Sequence, residues 1–160
     1  MARRLGFTLP PAVLGELSQG DLGSRLGLAI PLVTVDEEGR PHPMLLSHLE
    51  ILAVDPNTIR VAVGAGSRSA ANLAARGHAT LLLIEPAHTF YVKAMATGAP
   101  LARGGLMRFE LTVTEVLEDA AAAWEEGLRI TGGITYAPAP ALDAPWVRDT
   151  LAALRAEPAA

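Results

Sequence analysis

The feature that most constrains the fold is a series of short apolar runs, each ended by a turn sequence. The first run ends at Asp36-Glu37-Glu38-Gly39, where glycine can take the positive φ that a hairpin turn needs. Another ends at Asp55-Pro56-Asn57-Thr58, in which proline presets φ and Asp or Asn can bond nearby backbone. The pattern predicts six mostly hairpin-joined strands, at residues 27–35, 44–54, 59–63, 80–84, 90–97 and 107–117.

Short antiparallel strands with little intervening helix predict a mainly β protein, a β-barrel with flanking helices. Helical spacing and end signals predict helices at residues 10–18, 67–76, 119–129 and 143–155, the last capped by Asp143. We therefore expect residues 1–160 to form a single domain. Its barrel would span about residues 27–117, and a C-terminal helical extension about residues 119–156.

Composition excludes several classes of protein. The chain has 160 residues, half of them apolar, and no cysteine, so it needs no disulfide and offers no thiolate to a metal or a substrate. A net charge of −4 without clustered basic residues argues against a nucleic-acid partner. No signal-peptide core and no long apolar span is present, which predicts a cytoplasmic protein that does not enter membranes.

A glycine-rich turn, residues 63–69, carries the clearest functional signal. A strand ends there and a helix begins, so unpaired backbone N–H groups, two hydroxyls and the Arg68 guanidinium converge on one point. Such a point can hold a phosphate group. The alternative interpretation is a serine N-cap beside a solvated arginine.

Several landmarks of the chain, in order, resemble the pyridoxamine 5'-phosphate oxidase family. They cover roughly residues 27–117 and comprise Asp36-Glu37-Glu38-Gly39-Arg40-Pro41 with the strand after it, Gly66-Ser67-Arg68 opening a helix, the strand Thr80-Leu81-Leu82-Leu83, and the strand end Met95 to Gly98. The resemblance implies a six-stranded antiparallel split β-barrel of the FMN-binding type. It also implies a homodimer with FMN between the two barrels.

The resemblance further implies which residues bind the cofactor. The FMN phosphate would lie on Ser67, Arg68 and Ser69, and the flavin ring along Ser47, His48 and Leu49. The set also includes Ala62 and Val63 at the end of the preceding strand. It includes Lys93, which the family's pattern directs to the flavin across the dimer interface. The cofactor-binding residues implied by the resemblance are therefore Ser47, His48, Leu49, Ala62, Val63, Ser67, Arg68, Ser69 and Lys93.

The chain departs from the family's pattern at this site. The lysine that follows the arginine in the family is Ser69 here, and no basic residue occurs in residues 47–52, where the family has an Arg and a Lys. The family's C-terminal Trp- and Arg-containing motif is also missing. We therefore expect weak FMN binding and do not expect oxidation of pyridoxamine phosphate.

Other chemistries find little support in the sequence. The four histidines do not have metal-ligand spacing, and no serine lies in a nucleophile elbow. Tyr136 and Trp146 are either packing residues or flavin-stacking residues. In the second case the flexible loop at Gly132-Gly133 would cover a pocket. No residue can be assigned a catalytic role.

Three functional hypotheses remain open. The leading one is a flavin-dependent oxidoreductase of unknown substrate. The second is a cofactor-free homodimeric binding or structural module. The third is a reductase that binds a deazaflavin in the same groove.

Overall fold

The computed structural model describes residues 1–86, 88–125 and 127–157. Three α-helices occur in this part of the chain, α1 (Pro11–Leu17), α2 (Arg68–Arg76) and α3 (Pro145–Arg155), with 3₁₀ turns at Leu22–Arg25 and His48–Glu50. The strands are β1 (Ala2–Gly6), β2 (Leu28–Val35), β3 (Pro41–Ser47), β4 (Ile51–Asp55), β5 (Thr58–Gly64), β6 (His78–Ile84), β7 (Thr89–Arg103), β8 (Leu106–Asp119) and β9 (Ile134–Thr135). None of the described helices is long and apolar enough to cross a membrane.

All strands belong to one antiparallel sheet. Its order is β3-β2-β6-β7-β8-β5-β4, with β1 added along β8 and β9 along β2. The two end strands, β3 and β4, are consecutive in the chain and only the three-residue turn His48–Glu50 separates them. The sheet must therefore curve until its ends meet at this turn, although no ladder between β3 and β4 closes it in the described residues.

Alternating side chains fill the interior of the curved sheet. Leu32 on β2, Leu81 and Leu83 on β6, and Leu111 on β8 are almost completely buried in one core. Each of these strands points every second residue inward, as the pleat requires. The barrel itself thus buries the inward face of β6.

The sequence signals for α1 and α2 are confirmed. Ser67 has an extended backbone and its Oγ accepts the N–H of Ala70 at 3.1 Å, so it is the N-cap of α2. Gly77 ends the helix with φ of 76°. A side chain at Gly77 would also approach Met95 Cε to 3.2 Å, so glycine suits both the turn and the packing.

The number of strands and two helix predictions are corrected. The described residues form nine strands instead of six: the run 44–54 is divided by His48–Glu50, and β1 and β9 are additional. The predicted helix at 119–129 is wrong in its described part, since β8 continues to Asp119 and an irregular segment follows; residue 126 lies outside the described residues. The helix α3 forms, but Asp143 does not cap it, because Ala144 is the N-cap residue.

The C-terminal helix α3 packs on the outside of the barrel. Val147 contacts Leu22 and Leu49 in a small second core, next to the turn His48–Glu50. At the other end of the helix, the buried Arg60 of β5 donates to the carbonyl of Leu154 at 3.1 Å. The helix is thus fixed at both ends over the outer face of the sheet.

Candidate flavin site

The start of α2 has the arrangement that a phosphate site requires. The Ser67 hydroxyl caps Ala70, and Ala71 N–H bonds to the carbonyl of Ser67, so the N–H groups of Arg68 and Ser69 at the first two helical positions have no carbonyl partner among the described residues. The Arg68 side chain is exposed and forms no ion pair or hydrogen bond within the described chain. It is therefore available to an external anion.

The immediate surroundings of Arg68 are charged but balanced. It borders a cavity of about 330 Å³ between α2 and the β2–β3 turn, lined by Asp36, Glu37, Glu38, Arg40, Arg68, Ala71, Asn72 and Arg76. Three of these side chains are acidic and three are basic. Arg40 pairs with Asp36 at 2.9 Å and with Glu38 at 2.7 Å. The backbone N–H of Arg40 is the main cause that lowers the pKa of Asp36.

Ser47 stands at the end of β3, where the sheet opens. Its backbone N–H and its hydroxyl both donate to Oε2 of Glu50, at 2.7 and 2.9 Å. These two bonds hold the turn His48–Glu50 and place the Glu50 carboxylate beside the end of the strand. Ser47 itself is buried, with its edge on a cavity.

That cavity has a volume of about 350 Å³ and mostly apolar walls. Its lining residues come from β2, β3, the turn after β3, β9 with the residue that follows it, and α3: Ala29, Leu45, Leu46, Ser47, Glu50, Ile134, Thr135, Tyr136 and Trp146. A second cavity of about 450 Å³ adjoins it across Glu50 and Trp146 and reaches the β7–β8 hairpin at Arg103 to Leu106. We call the two together the Ser47 groove. Its size and apolar lining are those of a small-molecule site.

The groove ends close to the start of α2. The hairpin residue Gly105 accepts the N–H of Ala65 at 2.9 Å, and Gly64 pairs with Leu106 on β8. Ala65 lies two residues before Ser67. The loop that leads into α2 is therefore held against the same hairpin that closes the far end of the groove.

The comparison with known proteins identifies the family. The family model of pyridoxamine 5'-phosphate oxidase matches residues 28–158. The chain belongs to the pyridoxamine 5'-phosphate oxidase family. No curated protein sequence matches it.

Two solved structures show the same fold. A candidate pyridoxamine 5'-phosphate oxidase from Lactobacillus delbrueckii is 16% identical, covers 71% of this chain and 98% of its own, and superimposes with a TM-score of 0.56. An FMN-binding protein from Syntrophomonas wolfei is also 16% identical, covers 69% of this chain and 89% of its own, and has a TM-score of 0.52. At this identity the likeness establishes the split-barrel fold alone.

Two other residues predicted for this oxidase-family site face elsewhere. The His48 ring is buried and lies against Glu16, in a different cavity from the Ser47 groove. The Leu49 side chain is 1% exposed and packs with Leu22 and Val147 under α3. Neither side chain borders the Ser47 groove, so only their backbone is placed to contribute there.

The remaining predicted residues divide into buried and exposed positions. Ala62, Val63 and Ser69 are buried, so their side chains are not offered to a ligand. Lys93 is exposed on β7, but its Nζ donates to Glu115 on β8 at 2.6 Å. Within this chain Lys93 borders neither the groove nor the cavity beside Arg68.

Sequence reasoning missed the buried partner of His48. Glu16 is three residues after Val13 and directly before Leu17, both of which are buried, so helical periodicity already placed it on the inner face of α1. It also missed Arg60 and Arg108, whose guanidinium groups bond to carbonyls at the end of α3. No local pattern announces those bonds, because their partners lie 94 and 45 residues away in sequence.

Proposed function

We propose that this chain binds FMN and acts as a flavin-dependent oxidoreductase on a small substrate, as a homodimer. The observation that carries the proposal is the Ser47 groove, an apolar slot with two aromatic side chains beside the strand end that the family's pattern assigns to the flavin ring. Tyr136 and Trp146 would cover the flavin ring in the groove.

The groove suits a planar, amphipathic ring. Leu45, Ile134 and Trp146 supply apolar surface, while the hydroxyls of Thr135 and Tyr136 are donors for the polar edge of the ring. Glu50 is already engaged by Ser47, so its carboxylate does not remain without donors. A dianionic phosphate would avoid this carboxylate, which favours binding with the phosphate directed away from it.

The start of α2 would hold that phosphate. The Arg68 guanidinium supplies one cation, the N–H groups of Arg68 and Ser69 supply donors, and the Ser67 hydroxyl can donate while it accepts from Ala70. A single arginine at this position predicts modest affinity. A charge-assisted hydrogen bond contributes about 1.5 to 3 kcal/mol, so the loss of one basic partner weakens binding roughly ten- to a hundredfold.

Bound FMN would supply the electron-transfer chemistry. The chain would hold the ring against the strand end, exclude water with Tyr136 and Trp146, and leave one face open to substrate. No acid or base in the groove is assigned a proton-transfer role.

A second copy of the chain would complete the site. Leu45 is 55% exposed and Trp146 is 51% exposed, although both border the groove. Large apolar side chains clustered in this way are typical of an interface. Light scattering at micromolar concentration should give twice the mass of the chain; a stable monomer would contradict the dimer.

One observation favours the cofactor-free alternative. Lys93 is paired with Glu115, so among the predicted cofactor-binding residues Arg68 is the one cation without a partner in the described part of the chain. On that hypothesis the groove would bind a ligand without a phosphate group.

Titration of dialysed protein with FMN separates the two. We expect a red-shifted, structured flavin absorption band and a change in flavin fluorescence, with a dissociation constant in the micromolar range. Unchanged spectra at saturating FMN would reject flavin binding and leave the cofactor-free module.

A further inference from the structure

Another cavity, which shares a wall with the Ser47 groove but is not part of it, contains a cluster of ionisable groups. Its volume is about 370 Å³, and Ala29, Ile134 and Thr135 form the wall that it shares with the groove. The charged groups are Glu16 on α1, Arg25, His48 and Glu85. The FMN proposal uses none of these side chains, so the cavity needs its own explanation.

The ionisable groups lie at two depths: Glu16 and His48 form the buried floor of the cavity, and Arg25 and Glu85 form its more exposed mouth. On the floor, His48 Nε2 lies 3.1 Å from Glu16 Oε1, and the two residues are only 4% and 7% exposed. At the mouth, Arg25 pairs with Glu85 at 2.7 Å, and both side chains are about one quarter exposed. Arg25 also lies 3.7 Å from Glu16 and links the two levels.

One buried hydrogen-bond acceptor on the floor has no donor. The carboxylate of Glu16 can only accept, so His48 Nε2 carries a proton, and in the neutral imidazole Nδ1 is an acceptor. That Nδ1 atom is buried without a hydrogen-bond partner. The second carboxylate oxygen of Glu16 receives no hydrogen bond from the described residues, but it is not fully buried and remains accessible from the cavity. Because a buried acceptor without a donor is costly and a free carboxylate oxygen accepts readily, the floor is suited to a group that donates.

The charges of the cluster select the sign of that group. With both glutamates ionised, Arg25 protonated and His48 neutral, the four groups sum to −1. An anion would meet two carboxylates and an arginine that is already paired with them. A monocation would bring the sum to zero.

The remaining wall determines the kind of cation. Leu28, Ile30, Leu83 and Ile84 line the cavity, so most of its surface is apolar. In residues 1–86, 88–125 and 127–157, no three metal-ligating side chains group together, so a metal ion would lack ligands. An organic cation with an apolar body meets both demands.

The backbone segment Gly132 to Thr135 closes the cavity on one side. A side chain on Gly133 would come within 2.6 Å of the carbonyl oxygen of Ile84, so only glycine lets the segment lie this close to β6. Ile134 and Thr135 then pair with Ala29 and Leu28 on β2. The pairing with β2 and the close approach of Gly133 to β6 therefore fix this segment as one wall of the cavity.

We propose that this cavity binds a small primary amine, with its ammonium group on Glu16 and its apolar part against the aliphatic wall. The ammonium would donate to the oxygen of Glu16 that has no donor among the described residues. The site is separate from the proposed flavin groove and does not depend on FMN binding.

Benzylamine is the probe, with benzyl alcohol and phenylacetate as neutral and anionic analogues of similar size. Calorimetric titration of the full chain should show benzylamine binding with a dissociation constant of roughly millimolar or below, at least about tenfold tighter than either analogue. The proposal would be overturned if benzyl alcohol or phenylacetate bound as tightly as benzylamine or more tightly. It would also be overturned if benzylamine did not bind at about 10 mM, which is tenfold above the expected upper limit of its dissociation constant.

Variants locate the site. Glu16→Gln should weaken benzylamine binding by at least about tenfold, whereas Glu37→Gln, at an exposed carboxylate on the β2–β3 turn, should leave it unchanged. Unaltered binding to a folded Glu16→Gln protein would reject the assignment.

A readout on the unaltered chain covers the case in which Glu16→Gln does not fold. The NMR signals of the His48 ring should shift on addition of benzylamine, while those of His42 and His78 should not. Shifts confined to other histidines, or none, would place the amine elsewhere and contradict the proposal.

Discussion

Lys93 Nζ lies 2.6 Å from Oε2 of Glu115 on the neighbouring strand. The other oxygen of Glu115 accepts from Arg4 of β1 at 2.7 Å, so one carboxylate on β8 holds two cations from two different strands. The charge that the family's pattern directs toward the flavin is thus already paired within the chain.

This pairing predicts a small effect of Lys93→Ala on flavin binding. Because Glu115 already compensates the ammonium, the dissociation constant for FMN should rise by less than about threefold, and the reduction potential of the bound flavin should be the more sensitive quantity. FMN titration and potentiometry measure the two. A loss of affinity as large as that of Arg68→Ala would show that Lys93 leaves Glu115 to bind the cofactor.

The same cluster predicts how stability depends on pH. Hydrogen bonds from Lys93, and then from Arg4, lower the pKa of Glu115 below its ordinary value of 4.5. A hydrogen bond from Tyr91, followed by one from the chain's amino terminus, lowers that of Asp119 below 3.8. A folded-state pKa below the unfolded value gives stability that is present at higher pH and is lost as pH falls through the folded value.

The free energy of unfolding should therefore decrease as the pH falls below about 4.5, with this contribution already complete at neutral pH. Urea unfolding between pH 3 and 7 measures the slope. Glu115→Gln should flatten it, whereas Glu37→Gln, whose side chain forms no ion pair in the described residues, should not. Equal slopes for wild type and Glu115→Gln would contradict the argument.

Arg68→Ala should abolish measurable FMN binding while the barrel remains folded. The substitution removes the guanidinium from a helix start where two N–H groups already lack partners, so both charge and bidentate geometry are lost. Because the Arg68 side chain is exposed and forms no hydrogen bond or ion pair in the described chain, the melting temperature without ligand should change by less than about 2 °C. Arg148→Ala, at another exposed arginine without a partner in the described residues, is the matched control.

Melting curves with and without excess FMN test this comparison. Wild type and Arg148→Ala should be stabilised by FMN, since a ligand of the folded state raises the midpoint. Arg68→Ala should show no shift. An FMN-induced shift that survives in Arg68→Ala would assign Arg68 to the solvated alternative beside a serine cap.

The positions of the strands and helices were predictable to the extent that local signals determine them. Turn chemistry at Asp36 to Gly39 and the cap–stop pair of Ser67 and Gly77 located β2, β3 and α2, because these residues act on their own neighbours. The strand β9 was not predictable, since two residues form it and its pairing with β2 depends on a contact of Gly133 with Ile84 that is remote in sequence. The alanine-rich segment after Asp119 has high helix propensity, but its large apolar side chains, Trp124 and Leu128, are 83% and 68% exposed, and propensity without packing does not sustain a helix.

The candidate site was predictable in part for a similar reason. Ser47 and Arg68 lie at the ends of recognisable elements, and the structure leaves them where a ligand can approach. His48 and Leu49 were assigned to the flavin with Ser47, but Ser47 ends β3 and the other two belong to the 3₁₀ turn that follows, so the three side chains lie in different surroundings. A strand would have placed alternate residues on one face; the 3₁₀ turn does not.

The buried arginines beneath α3 should be essential for stability. Arg60 donates to the carbonyls of Leu154 and Ala156, and Arg108 to those of Ala153 and Ala156. Burial, followed by repulsion from Arg60, lowers the pKa of Arg108, which shows that the pair is held against an electrostatic cost. Arg60→Met removes the donor to the helix end and leaves Glu110 without its 2.8 Å partner.

Arg60→Met should therefore lower the free energy of unfolding by about 2 to 4 kcal/mol. Urea unfolding measures the loss, and hydrogen exchange should show that the amides of α3 are the first to lose protection. Arg155→Met, at an exposed arginine bonded to Gln19, should cost much less. Equal losses for both variants would show that apolar packing of α3 is sufficient without the arginines.

The placement of the flavin ring can be tested with the chain's own tryptophans. Trp146 is 51% exposed and borders the groove, whereas Trp124 is 83% exposed in the irregular segment after β8 and borders neither cavity of the groove. A flavin ring bound against Leu45 and Tyr136 would lie in contact with the indole of Trp146. Stacked flavins quench indole fluorescence, so FMN should reduce the emission of Trp146 and leave that of Trp124 largely unchanged.

Two single-tryptophan variants separate these contributions. Trp124→Phe retains only Trp146 and should be quenched in a saturable manner, with the midpoint that flavin absorption gives. Trp146→Phe retains only Trp124 and should show only the small, linear loss expected from light absorbed by free FMN. Equal quenching of both variants would show that the flavin ring does not lie in the Ser47 groove. The same conclusion would follow if Trp146→Phe bound FMN with wild-type affinity while Trp124→Phe showed no saturable quenching.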